Sequence, residues 1–89
     1  MRNTVSDEEI VKWLTKIENV LPNIEADTEK GEEMLTNMNA YIADCKHFRK
    51  NEELVLSFES IVWAWAIFEL ARDLGHFKVL DSDAEKEPF

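Results

Sequence analysis

From Ile10 onward the apolar positions fall into helical spacing: Ile10, Leu14, Ile17, Leu21 and Ile24 recur at steps of four and three, with Val11, Trp13 and Val20 widening the stripe. Just before them, Ser6-Asp7-Glu8-Glu9 has the form of a capping box, which predicts a helix start. Pro22 disfavours helical geometry at the residue before it, so the first helix is predicted over 7–21. A short irregular link then leads to Asp27 or Thr28, either of which can cap a second helix. That helix carries Met34, Leu35, Met38, Tyr41, Ile42, Cys45 and Phe48 on one face and is predicted over 28–49. Gly31 in its first turns costs about 1 kcal/mol against alanine, which marks a close approach of another backbone. Lys50-Asn51-Glu52 reads as a tight connection in which Asn51 takes the left-handed conformation. The third helix is predicted over 53–74, stopped by Gly75 at positive φ, with Phe77 folding back onto its last turn.

The pattern predicts an all-α fold, an up-down-up antiparallel three-helix bundle in one domain over residues 1–80. From Asp81 to Phe89 the chain is acidic and unpatterned, the expectation for a frayed tail. The third helix has one unusual property: its residues Ile61 to Phe68 are all apolar. Leu54, Phe58, Ile61, Trp65 and Phe68 form a seam that satisfies the bundle core, with Trp65 and Phe58 expected among the deepest residues. Val62, Trp63, Ala66 and Ile67 point to other sides of the same helix. Two positions along a helix is a rotation of about 200°, so Trp63 and Trp65 cannot share one seam. Either the first helix, carrying Trp13, covers the second tryptophan, or another molecule does. The favoured expectation is a two-fold contact between third helices, making a homodimer, with Val62, Trp63, Ala66 and Ile67 as its interface.

Composition narrows the function classes. A chain of 89 residues with two glycines, two prolines and formal net charge −9 repels phosphate backbones, so nucleic acid is not an expected partner. A core taking most of so small a chain leaves little room for a deep catalytic cleft, and no enzyme activity is expected. Cys45 is the single cysteine and cannot form an internal disulfide; with no basic-then-apolar opening segment, a cytoplasmic location is expected. The longest unbroken apolar run, eight residues, is far short of the ~20 that cross a bilayer, so no membrane association is expected.

The segment Gly31 to Gly75 resembles the short archaeal proteins of the domain of unknown function 357 family. The resemblance rests on Tyr41, Asp44 and Phe48 in a Tyr-x-x-Asp-x-x-x-Phe run, then Phe58-Glu59, Trp63-Ala-Trp-Ala, Glu69 and the terminal Leu-Gly. It implies a small helical bundle with no established activity, and supplies no catalytic or ligand residues.

Candidate chemistry is sparse. Asp44 and His47 lie three apart on one helical face with Glu59 across the hairpin, a conceivable metal or small-molecule site. Di-iron bundles use two Glu-x-x-His motifs, and this chain has no such repeat, so no metal or other cofactor is expected. Arg72 and His76 stand too close together for the ribonuclease pair of HEPN domains; His76 reads as a helix-terminal histidine facing the negative dipole end. Asp44 and Glu69 are candidate buried acids, each expected to reach solvent or a hydrogen-bond donor, and Cys45 is expected as a small core residue. Cys45, Phe48, Ser57, Ile61 and Ala64 have roughly the small and aromatic offsets of a tetratricopeptide-like hairpin, which argues for close hairpin packing. The function expected is a non-enzymatic interaction or self-association module acting through the third helix. The alternative is a metal or small-molecule binder at Asp44, His47 and Glu59.

Overall fold

The structure is a computed structural model and describes residues 5–80; the expected tail from Asp81 lies outside them. Three helices, α1 (Asp7–Val20), α2 (Glu29–Lys50) and α3 (Leu54–Asp73), account for most of the chain. Between α1 and α2 the chain makes a 3-10 turn at Leu21–Asn23, with Pro22 in it, and then a strand β1 (Ile24–Ala26). After α3 it returns as β2 (Phe77–Val79), antiparallel to β1, pairing Ile24 with Val79, Glu25 with Lys78 and Ala26 with Phe77.

The fold is mostly helical, as expected, and adds to the three helices a small sheet of two three-residue strands. Ile24 continues the helical spacing of α1, but Pro22 ends the helix before it, and its backbone pairs across the sheet instead. The ladder continues beyond the strands, with Leu80 N–H donating to the Asn23 carbonyl at 2.8 Å and Asp27 N–H to the His76 carbonyl at 3.1 Å.

Helix ends follow local chemistry. The Ser6 hydroxyl accepts from Glu9 N–H at 3.2 Å, and the Thr28 hydroxyl accepts from Gly31 N–H at 2.8 Å, each satisfying an amide that the helix leaves without a partner. Gly75 closes α3 at φ 81°. There His76 N–H reaches the Ala71 carbonyl and Gly75 N–H the Arg72 carbonyl, the paired bonds of a Schellman cap. Gly31 does mark a close backbone approach, since a Cβ at that position would collide with the His76 carbonyl oxygen. At the α2–α3 connection the expectation fails by one residue. Asn51 has φ −91° while Glu52 takes the left-handed conformation at φ 60°.

The α2–α3 hairpin is the main packing unit. Along α3 the small residues Ser57, Ala64 and Ala71, seven apart, are all fully buried, and a stripe that narrow lets two helix backbones approach closely. Ser57 Oγ donates to the Cys45 carbonyl at 2.7 Å, stitching α3 to α2, and Cys45 itself is fully buried. Trp65, Phe68 and Ile61 on α3 join Ile10 and Ile17 of α1 and Met38 of α2 in the core, all with no exposed surface. Phe77 folds back as expected, buried, with its ring centroid 6.4 Å from that of Phe68. Phe58, expected among the deepest residues, is instead half-buried at the edge of the core, under Trp13.

Candidate interaction site

The two tryptophans of α3 part company as their spacing requires. Trp65 is wholly buried and its indole Nε1–H donates to the Trp13 carbonyl at 3.2 Å. The Trp13 ring packs on Phe58 at 4.9 Å between centroids. Helix α1 therefore covers the Trp65 side, and the expectation that Trp13 could shield Trp63 is not met: Trp63 is 58% exposed. Its ring neighbour among the described residues is Tyr41 of α2, 6.3 Å away between centroids with the planes 21° apart.

The surface around this ring pair is built by helical periodicity. On α2, Asn37 and Tyr41 stand one turn apart, as do Ala40 and Asp44; on α3, Trp63 and Ile67 do the same. Together these six residues line an open groove of ≈ 490 Å³ along the outer seam of the hairpin. Of the sequence-expected interface residues, Trp63 and Ala66 are exposed and Val62 and Ile67 half-buried.

What the sequence reading missed is a second periodicity on α3. Leu56, Trp63 and Leu70 are 42%, 58% and 54% exposed and stand seven apart. This exposed stripe lies one residue out of phase with the buried stripe of Ser57, Ala64 and Ala71. Leu74 extends its lower end and is also exposed. The heptad was legible in the letters, but the eight-residue apolar run masks it because every position there looks equally suited to burial. Tyr41, expected on the apolar face of α2, is half-buried, at the groove.

The Asp44, His47 and Glu59 alternative is not assembled. All three side chains are exposed, and among the described residues no group of three His, Cys, Asp or Glu residues is placed to hold a metal ion. His47 Nε2 lies 3.2 Å from Asn51 Nδ2, a helix-end contact. Glu69 is half-buried. His76 Nδ1 sits 2.7 Å from the Thr28 hydroxyl, joining the end of α3 to the start of α2. Burial pushes the Cys45 thiol up from its ordinary pKa, which keeps it protonated and unreactive. Helix α3 has a mean hydropathy of 1.6 over its most apolar stretch and is long enough to cross a membrane by length and composition, with 39% of that stretch buried in the protein.

Comparison with known proteins gives two findings. The family model for proteins of unknown function DUF357 matches residues 11–77. The crystal structure of protein AF1782 from Archaeoglobus fulgidus, matched by the same family model, superposes with a TM-score of 0.74 at 38% identity, covering 81% of this chain and 90% of that one. No protein with a curated description matches.

Proposed function

From the premise that the chain belongs to the DUF357 family, which carries no established activity, we propose that it is a non-enzymatic protein-interaction module whose docking face is the outer side of α3. The observation that carries this reading is the exposed row Leu56, Trp63 and Leu70, continued by Leu74. Burying one such side chain contributes roughly 1.5–3 kcal/mol. Leu56, Trp63, Leu70 and Leu74 are each about half exposed, so covering them would add part of that gain apiece to a domain stable by roughly 5–15 kcal/mol. An exposed apolar row of this kind is a partner site by physical default. On this reading an up-down-up bundle is the scaffold and α3 the working element.

Self-association is the second reading, favoured by the seven-residue spacing of Leu56, Trp63 and Leu70, which is the repeat of a helix–helix seam. A two-fold contact between α3 helices would then give a homodimer, including Ala66 and the exposed edges of Val62 and Ile67. Sedimentation at micromolar concentration tests it. The self-association reading expects a species near 20 kDa that Trp63→Glu or Leu70→Glu converts to one near 10 kDa, against a chain mass of 10.4 kDa. A 10 kDa species at all concentrations, with Trp63 open to an aqueous quencher, removes self-association and leaves a different protein as the occupant.

A further inference from the structure

The geometry points to an arginine side chain of a basic partner segment as the occupant of the groove between Tyr41 and Trp63, with Asp44 as its counter-ion. This rests on the reading of the α3 face as a protein-docking surface and adds the chemistry of what docks.

Three observations converge on a cation. The groove is lined by two stacked aromatic rings, Tyr41 and Trp63, with centroids 6.3 Å apart and planes inclined by 21°, and the Trp63 ring is left largely exposed. Aromatic faces carry negative electrostatic potential and attract guanidinium or ammonium groups, tryptophan most strongly. Among the described residues the single charged side chain lining the groove is Asp44, and no basic residue lines it. Among the described residues no lysine or arginine pairs with Asp44. By contrast Lys30, Lys46, Arg49 and Arg72 are engaged by Glu33, Glu18, Asp7 and Asp73. Asp44 thus brings to the groove an exposed carboxylate that no described basic residue pairs with. Asn37 adds a neutral amide at the far end, whose carbonyl can accept from a second N–H.

Arginine fits better than lysine because a planar guanidinium stacks on an aromatic ring while its edge forks onto a carboxylate, which a tetrahedral ammonium cannot do at once. Charge complementarity sets the partner's sign. A chain of net charge −9 attracts basic segments over a distance and repels a second copy of itself. The apolar row on either side supplies sites for aliphatic residues flanking the arginine. The expected ligand is an amphipathic basic segment with arginine next to leucine-like residues.

The test uses the full chain and two synthetic peptides, each a short amphipathic Leu/Ala helix with one central position, filled in one by arginine and in the other by citrulline, its neutral isostere. The Trp63 indole N–H resonance, assigned by its loss in Trp63→Phe, reports binding. The arginine peptide is expected to shift that resonance and to bind roughly three- to tenfold more tightly than the citrulline peptide. That ratio should shrink as salt rises and should fall to about one in Asp44→Asn, an exposed substitution that leaves the core untouched. Equal affinity of the two peptides for the native chain overturns the arginine assignment while leaving the docking-face reading standing. Absence of binding by both peptides, with Trp63 protected in a 20 kDa species, overturns it in favour of a second copy. Protection of Trp63 by neutral phosphatidylcholine vesicles and by neither peptide overturns it in favour of a lipid surface.

Discussion

A methyl group at Gly31 would meet the His76 carbonyl oxygen, whereas one at Gly75 would meet nothing within 4 Å. The two glycines therefore resist substitution for different reasons. Gly31→Ala gains up to about 1 kcal/mol of helix propensity and forces a backbone apart in a packed site, which costs typically 1–3 kcal/mol. A net loss of about 1–2 kcal/mol is expected, read as a lower urea midpoint. Gly75→Ala strains a left-handed φ of 81° and is expected to lose roughly 1–2 kcal/mol, while Gly75→Asn, which tolerates that conformation, loses less. Both positions were legible in the sequence, because glycine inside a first turn and glycine after a last turn each have few other reasons to be there. The left-handed residue at the α2–α3 connection was not. Asparagine is the better left-handed residue by intrinsic preference, yet Asn51 stays at φ −91° to follow the end of α2, and Glu52 absorbs the turn.

At the scale of elements, the hairpin depends on a polar stitch in an apolar seam. Ser57 is fully buried, its hydroxyl donating to the Cys45 carbonyl and lying 3.3 Å from the Cys45 sulfur. Removing a buried hydrogen bond of this kind costs about 1 kcal/mol. Ser57→Ala is expected to lower stability by that amount, and a thiol reagent should reach Cys45 faster because the hairpin opens more often. Native Cys45, buried and held protonated, should label only through such openings. The helices were readable because each repeats its apolar spacing over several turns. The strands were not, because three residues give no period to recognise and only the partner strand makes them strands. The same limit applied to the groove: Trp63 was visible as surplus apolar surface, but Tyr41, Asn37 and Ala40 join it only once the hairpin register sets α2 opposite α3.

Across the whole molecule, apolar burial of Ile10, Leu14, Ile17 and Val20 seats α1 on the hairpin, and two exposed ion pairs bridge the elements at its rim. Arg49 clasps Asp7 with both forks, Nε at 2.7 Å and Nη2 at 3.0 Å, and Lys46 holds Glu18 at 2.6 Å. The hydrogen bonds from Arg49 hold the Asp7 carboxyl below its ordinary pKa. A depressed folded-state pKa adds stability above the unfolded value, and that contribution disappears as pH falls through the folded one. Asp7→Asn should therefore flatten the loss of stability on acidification below the usual aspartate range, a small effect for so exposed a pair, measured as urea midpoints from pH 5 to pH 2. The sheet has a consequence of another kind, in time. It joins Ile24 to Val79, about 55 positions apart, across the entire α2–α3 hairpin, and closing so long a loop is unfavourable until the hairpin has brought its ends together. The hairpin, made of neighbours in sequence, should form first. Truncations such as Ile24→Ala and Val79→Ala are then expected to speed unfolding while leaving the refolding rate nearly unchanged. The last contacts made become the first released: β1, β2 and the His76 contacts at the start of α2 should exchange their amide protons ahead of the helices, so the chain opens at the small sheet that closes over the ends of the α2–α3 hairpin.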